Sequence, residues 1–105
     1  MSEFVKVAQV SDLKPGEIKL VEADDRLVIL FCVAQGQFTC IDDVCTHDGG
    51  TLSDGPVEEQ QIICPRHGAR FDLCSGKALC MPATQNTACH EVKVDGDDIC
   101  VKLAE

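Results

Sequence analysis

Two short segments that each pair a cysteine with a histidine dominate this sequence. The first reads Cys45-Thr46-His47 and the second reads Cys64-Pro65-Arg66-His67, with sixteen residues between them. Thiolate and imidazole groups are the usual ligands of zinc and of several iron centres in proteins. The two segments therefore predict one metal site that is shared by two loops, with the rest of the chain as their scaffold.

The distribution of the ligands leaves two kinds of metal site open. Two thiolates and two imidazoles complete a tetrahedral zinc site, so a structural zinc module is one hypothesis. In zinc fingers, however, one segment usually supplies both cysteines and the histidines come later. Here each segment supplies one cysteine and one histidine, which favours a two-iron cluster whose irons take sulfur ligands on one side and nitrogen ligands on the other.

The size and charge of the chain exclude several function classes. Its 105 residues correspond to one domain. The net charge of -9, from 18 acidic and 9 basic residues, argues against binding to nucleic acid or to an anionic membrane surface. A partner with a basic surface is compatible with this charge, and so is a charge that only keeps the protein dispersed in water.

The cellular compartment is predicted from the N-terminus and the cysteines. The chain shows no basic segment followed by an apolar run at its start, and its longest apolar stretch, residues 27–34, is too short to span a membrane. We therefore expect a cytoplasmic protein. The eight cysteines are accordingly expected to be reduced thiols or metal ligands rather than disulfides.

Alternating polar and apolar residues predict an all-β fold of short antiparallel strands. The turn signals Pro15-Gly16, Gln35-Gly36-Gln37 and Asp95-Gly96-Asp97 separate these runs, and no segment longer than about ten residues has a helical period. Residues 42–82 instead form a loop-rich insertion rich in Gly, Pro, Ser and Asp. Strands are predicted at residues 4–8, 17–21, 26–33, 38–41, 89–94 and 98–103.

Both Cys-His segments resemble the cluster-binding boxes of Rieske proteins, which carry a 2Fe-2S cluster. The resemblance extends over nearly the whole chain, and it includes the residues after each box and the proline loop. It implies a sandwich of three small antiparallel sheets in a single domain, residues 1–105. Within it, a basal β part would cover about 1–41 and 83–105, and a cluster-binding part about 42–82. The matching segments are Gly49–Gly55, Gly68–Asp72, Ser75–Ala78 and Met81–Ala83.

The resemblance also implies which residue binds which iron. Cys45 and Cys64 would bind the inner iron, and His47 and His67 the outer iron. Two ferric ions, two sulfides, two thiolates and two neutral imidazoles sum to a formal charge of about zero, which makes such clusters easier to reduce than all-thiolate ones. Rieske potentials accordingly span about -150 to +300 mV, against about -400 mV for plant-type clusters.

The chain departs from the Rieske proteins of cytochrome complexes at four positions. Those proteins carry a disulfide where this chain has Gly50 and Arg66, and they carry hydroxyl donors to the cluster sulfurs where this chain has Ala69 and Phe71. With fewer donors, the reduced and more negative cluster is stabilised less. The resemblance therefore predicts a potential near the low end of the Rieske range, as in Rieske ferredoxins.

The function implied by the resemblance is one-electron transfer and not catalysis. The protein would accept an electron from a flavoprotein reductase and pass it to a terminal oxidoreductase such as a Rieske-type oxygenase. Two alternatives stay open beside the zinc module. The same cluster could serve a redox sensor, or the chain could be a permanently bound small subunit of a larger enzyme.

The remaining histidine and cysteines are predicted to lie outside the metal site. His90 is expected to be a surface or edge residue of a C-terminal strand. Cys74 and Cys80 lie near the second box, where they would pack as small apolar groups or pair with each other when oxidised. An all-cysteine cluster that used them would leave both box histidines unexplained. Four cysteines on predicted strands are expected in the core, namely Cys32, Cys40, Cys89 and Cys100.

Overall fold

The structure, a computed structural model of the chain, describes residues 3–46, 49–66, 68–81 and 85–104. Strands dominate these ranges, together with a short 3-10 helix at Val10–Asp12. No helix in the described ranges is long and apolar enough to cross a bilayer. The strands are β1 (Val5–Gln9), β2 (Ile18–Ala23), β3 (Arg26–Ala34), β4 (Gln37–Asp42), β5 (Val57–Glu58), β6 (Gln61–Ile63), β7 (Arg70–Asp72), β8 (Ala78–Cys80), β9 (Cys89–Asp95) and β10 (Asp98–Lys102).

All strand pairs are antiparallel, and they build the three small sheets that the resemblance implied. One continuous sheet has the order β1-β10-β9-β4-β3-β2, and a second has the order β5-β6-β7-β8. Within the first, β4 and β9 pair only through Cys40 with His90 and Ile41 with Cys89. This narrow junction joins two three-stranded sheets, β1-β10-β9 and β4-β3-β2. The predicted fold class is confirmed.

Strand β3 is the layer that the two halves of the molecule share. It is buried on both faces, which explains its almost unbroken apolar sequence. Val28 and Leu30 point into the core between the two halves of the long sheet. Ile29 and Phe31 point to the opposite side, into a second core beneath the four-stranded sheet. The second core is therefore the base on which the loop-rich part of the chain rests.

All six strands that were predicted from alternation are present in the structure. Residues 42–82, predicted only as a loop-rich insertion, contain the four-stranded sheet of β5 to β8. Its strands are two or three residues long, too short for a period of two to be recognised. Leu52, Ile62, Phe71 and Leu73 are completely buried there, and they form the second core together with Ile29 and Phe31 of β3.

The narrow junction between β4 and β9 holds His90, whose predicted surface position is wrong. The side chain is fully buried, and its Nε2 lies 2.6 Å from Asp42 Oδ1. The backbone N–H of Ala104 donates to Nδ1 at 2.9 Å. Since Nδ1 accepts, Nε2 carries the proton and donates to the carboxylate. His90 is therefore a structural residue that ties β4, β9 and the C-terminal segment together.

Candidate metal centre

Cys45 and Cys64 each begin a chain reversal, and the two reversals have the same hydrogen-bond pattern. The N–H of Cys45 donates to the carbonyl of Gly50 at 2.8 Å, and the N–H of Gly49 donates back to the carbonyl of Cys45 at 2.7 Å. In the second loop, Cys64 donates to Ala69 at 2.7 Å. Gly68 donates back to Cys64 at 3.0 Å. Each cysteine thus starts a six-residue loop, residues 45–50 and 64–69, of matching construction.

A glycine at the fifth position makes each loop possible. Gly49 has a φ of 75° and Gly68 a φ of 78°. This left-handed region is accessible to glycine at little cost but is unfavourable for residues that carry a Cβ atom. Both glycines therefore let the chain turn back so that the fifth N–H reaches the carbonyl of the cysteine.

The two cysteine side chains lie on the same apolar base. Cys45 is completely buried and Cys64 is 1% exposed. Both belong to the second core, together with Leu52 and Phe71. In such surroundings charged groups interact more strongly than in water, so bound metal would favour ionised thiolates here.

The predicted histidine ligands, His47 and His67, lie outside the described residues. They occupy the third position of the first loop and the fourth position of the second. Within the described ranges, no three side chains of His, Cys, Asp or Glu come together as a metal site. All eight cysteines fall in these ranges, so Cys74 and Cys80 do not complete an all-cysteine site. Two buried thiols with two histidines on the same loops are a donor set that fits a 2Fe-2S cluster with mixed ligands.

Arg66 reaches from the second loop to the first. Its Nη2 donates to the carbonyl of Thr51 at 2.8 Å. Its guanidinium group lies over Gly50, where an added Cβ atom would come within 2.5 Å of Cζ. The two positions that lack the disulfide of the cytochrome branch are thus in contact through a hydrogen-bonded arginine. The contact holds the two loops together and places a positive charge beside them.

Asp43 ties the chain just before the first loop to the chain just after it, a role that the sequence did not indicate. This carboxylate is buried, and it accepts hydrogen bonds from the N–H groups of Leu52 at 2.7 Å and Ser53 at 2.8 Å. The hydroxyl of Ser53 donates to its other oxygen at 2.9 Å. Buried acids need such partners. In the sequence Asp43 is one of many acids, and nothing local distinguishes it.

Strand β8 and the segment that follows it contact both loops. The hydroxyl of Thr46 in the first loop donates to the carbonyl of Gln85. The thiol of Cys80 donates to the carbonyl of Gly68 in the second loop at 3.7 Å. The N–H of Ala78 donates to Asn86 Oδ1 at 2.9 Å and stabilises the segment itself. Pro82 and Ala83 of the predicted proline loop lie outside the described residues.

The cysteines outside the loops differ in burial. Cys32 and Cys40 are in the core, as predicted. Burial raises the pKa of Cys40 to about 12, with smaller contributions from the charges of Cys89 and Asp42. Cys100 is only half-buried and Cys89 is exposed, so the core prediction is wrong for Cys89. Cys89 is the first residue of β9, and its thiol donates to the backbone carbonyl of Cys74 at 3.6 Å.

Comparison with known proteins identifies the family. A sequence model of the Rieske [2Fe-2S] domain matches residues 3–101. The chain belongs to this family. The ferredoxin component of the naphthalene 1,2-dioxygenase system of Pseudomonas putida is 34% identical over 102 residues, which are 97% of each chain. Membership of this family implies that the chain carries a Rieske-type 2Fe-2S cluster.

Solved structures give the same result. The ferredoxin of carbazole 1,9a-dioxygenase from Nocardioides aromaticivorans superposes with a TM-score of 0.85 at 29% identity, covering 93% of this chain and 95% of that one. A second solved structure is the complex of reduced oxygenase and oxidized ferredoxin in carbazole 1,9a-dioxygenase. Its matching chain also superposes with a TM-score of 0.85, at 32% identity, covering 93% of this chain and 91% of that one. The chain is a Rieske-type ferredoxin, an electron-transfer protein and not itself an enzyme.

Proposed function

We propose that Cys45 and Cys64 bind the inner iron of the cluster and that His47 and His67 bind the outer iron. The observation that carries this proposal is the pair of matching loops, residues 45–50 and 64–69, which begin with buried cysteines on one apolar base. A cluster bound there would accept and release a single electron. The protein's own part is to hold the thiolates, to exclude water from them and to present the outer side of the loops to partners.

The ligand proposal is tested by variants that change one donor at a time. Cys64→Ser should abolish the reduced cluster's electron paramagnetic resonance signal, because a buried thiolate ligand is lost. Cys100→Ser is the matched control, since this half-buried cysteine lies on β10, outside both loops. His67→Cys should replace the Rieske signal by another one. A Rieske signal that survives His67→Cys would contradict the assignment of His67.

We further propose that the donor is a flavoprotein reductase and the acceptor a ring-hydroxylating oxygenase of the Rieske type. The support is the ferredoxin of the carbazole 1,9a-dioxygenase complex, which is described together with its oxygenase. The naphthalene 1,2-dioxygenase relative is also a component of a dioxygenase system. The acidic charge of -9 favours partners with basic docking surfaces.

Stopped-flow measurements test this electron path. The reduced protein should be reoxidised by a ring-hydroxylating oxygenase, and the oxidised protein should be reduced by a flavoprotein reductase, at rates that fall as salt is added. A carrier should also elute alone when it is purified from its native host. Co-purification in a fixed ratio with a large enzyme, even at high salt, would instead support a permanently bound subunit.

We also propose that the protein is cytoplasmic. We further propose that its single domain consists of a basal part and a cluster-binding part. Free thiols such as Cys32, Cys40 and Cys100 are typical of a reducing compartment. The proposed cluster-binding part, about residues 42–82, corresponds to the loops and the four-stranded sheet, and the basal part to the six-stranded sheet. Fractionation of the native host tests the location: the protein should be found with cytoplasmic markers and not in the periplasm.

A further inference from the structure

Two cysteines outside the cluster loops lie next to each other where the four-stranded sheet packs against the long sheet. Their thiols have different partners in the structure, and the thiol of Cys74 donates to Gln60 Oε1 at 3.8 Å. Cys74 lies in the turn after β7, and Cys89 is the first residue of β9. The thiol of Cys89 donates to the backbone carbonyl of Cys74 at 3.6 Å. Both residues are reduced in the structure. The pairing that the sequence suggested, Cys74 with Cys80, is not the contact observed, because the thiol of Cys80 lies against Gly68.

The backbone on both sides of this contact is held by hydrogen bonds. Cys89 pairs with Ile41 in the ladder of β9 and β4, so the two side chains share one face of the sheet. Thr39 lies two residues before Ile41 on that face, and its hydroxyl donates to the carbonyl of Leu73 at 2.8 Å. The N–H of Cys74 donates to Asp72 Oδ1 at 2.9 Å. The turn that carries Cys74 is therefore fixed above the face that carries Cys89.

We propose that Cys74 and Cys89 are a redox modification site, at which a low-molecular-mass disulfide such as oxidised glutathione converts the two thiols into an intramolecular disulfide. In the first step one thiolate attacks the glutathione disulfide, forms a mixed disulfide and releases one glutathione thiolate. In the second step the other cysteine attacks the mixed disulfide and releases the second glutathione. The protein loses two protons and two electrons, and oxidised glutathione becomes two molecules of glutathione.

The surroundings of the pair make this disulfide slow to form and stable once formed. Partial desolvation, followed by the charge of Asp72, raises the pKa of both the half-buried Cys74 and the exposed Cys89. Few thiolates are therefore present at neutral pH, and attack on glutathione disulfide is slow. A disulfide carries no charge, so burial and Asp72 do not oppose it, whereas they do oppose the thiolates that reductive exchange must release.

The disulfide would close a covalent ring that contains the segment between the two cysteines, and this segment contacts both cluster loops. Residues 75–88, between the two cysteines, include Cys80, which contacts Gly68 of the second loop. They also include Gln85, which accepts the hydrogen bond from Thr46 of the first loop. A cross-link at the base of this segment restricts its detachment from the loops. Oxidation of the site would therefore protect the cluster loops under oxidising conditions.

Peptide mapping of the intact holoprotein tests the site without reference to its electron-transfer activity. The protein is incubated with oxidised glutathione at about pH 8.5, where thiolates are more abundant, the remaining thiols are alkylated, and the digest is analysed by mass spectrometry. We expect a peptide pair linked through Cys74 and Cys89, with two hydrogens fewer than the free peptides. The link should be absent in Cys74→Ser and Cys89→Ser and retained in the matched control Cys80→Ser. A Cys74–Cys80 link, a persistent glutathione adduct on Cys89 or no reaction would overturn the proposal.

A second measurement tests the consequence. Release of iron to a chelator should be at least threefold slower after oxidation of the wild-type protein, and the same treatment should leave the rate in Cys74→Ser unchanged. Equal rates before and after oxidation of the wild type would overturn the protective role. Because the mapping experiment reads a covalent link, its outcome does not depend on the proposed iron ligands or partners.

Discussion

Arg66 sets the electrostatics between the two cluster loops. Its guanidinium group lies on the first loop while its backbone belongs to the second, between Cys64 and His67. Arginine remains charged at all physiological pH values. The positive charge therefore favours the reduced, more negative state of a cluster bound by these loops, and the hydrogen bond to Thr51 holds that charge in place.

Replacement of Arg66 by glutamine should lower the reduction potential. An exposed charge contributes roughly a two- to fivefold change in a one-electron equilibrium, which at 59 mV per tenfold change corresponds to about 20–40 mV. Protein-film voltammetry would measure it, and the difference should shrink in high salt. Arg66→Lys should restore most of the potential. Arg70→Gln is the matched control, because Arg70 pairs with Glu58 on the sheet. A shift of the same size in both glutamine variants would contradict a specific role of Arg66.

The buried thiol of Cys40 should make the free energy of unfolding depend on pH in the alkaline range. Burial raises its pKa from 9.0 to about 12 in the folded protein. Between these values the unfolded chain loses the thiol proton and the folded chain keeps it. The stability contributed by the neutral thiol is therefore complete below pH 9 and falls as the pH rises towards 12, by about 1.4 kcal/mol per pH unit.

Urea unfolding at a series of pH values above 9 would measure this slope. Cys40→Ala should show a shallower decrease than the wild type, by about one proton, because Cys32, Cys74 and Cys89 also have raised pKa values and remain in both proteins. Only the slopes are compared, since the smaller side chain lowers stability at every pH. Parallel slopes would contradict the raised pKa of Cys40.

The sequence indicated the candidate metal ligands but not the positions of other buried polar side chains. The two Cys-His segments were predicted to bind the cluster from their order, their spacing and their flanking residues. This ligand set stays a prediction, and its two cysteines lie buried on one apolar base. His90 and Asp43 were misjudged or missed, since their burial depends on which face of a strand end is covered by distant residues. Their partners, Asp42 and Leu52, are recognised only once the strands are paired.

At the scale of elements, the two matching loops depend on their glycines. Gly68 has a φ of 78° and no atom within 4 Å of an added Cβ, so alanine there introduces backbone strain without a clash. Gly36, in the hairpin between β3 and β4, has the same φ of 78° and the same open space. The two positions share this backbone geometry, but Gly68 belongs to the second loop, where its N–H donates to the carbonyl of Cys64, and Gly36 lies outside both loops.

Gly68→Ala and Gly36→Ala should therefore have similar stability but different cluster retention. We expect each to lower the free energy of unfolding by about 1 kcal/mol, the usual cost of left-handed backbone in alanine. Only Gly68→Ala should also speed the bleaching of the cluster absorption in air, because the strained residue belongs to the second loop. Equal bleaching rates in the two variants would show that the loop geometry does not control cluster retention.

The prediction of elements succeeded where strands were long enough to show either an alternation or a continuous apolar run. β3, with nine residues, and β9, with seven, were recognised from their sequences. β5 to β8 were not, because strands of two or three residues show at most one alternation and owe their pairing to the core around Phe71 and Leu73. Composition therefore indicated a loop-rich region at residues 42–82 without its individual strands, whereas the resemblance implied the third sheet.

For the whole molecule, we expect a low reduction potential. Ala69 and Phe71 are completely buried and bring no hydroxyl to the site. The net charge of -9 further disfavours addition of an electron. A redox titration should therefore give a potential below zero, towards the low end of about -150 mV known for Rieske centres. A value well above zero millivolts would contradict this view of the site.

The number of histidine nitrogens bound to the reduced cluster tests the proposed ligand set. Electron–nuclear double resonance on protein labelled with nitrogen-15 only in histidine should detect two coupled nitrogens, from His47 and His67. The third histidine, His90, is hydrogen-bonded to Asp42 and is not a proposed ligand. His90→Gln should therefore leave both couplings unchanged. His47→Cys and His67→Cys should each remove one. Detection of no histidine coupling, or of a coupling lost in His90→Gln, would contradict the proposed ligand set.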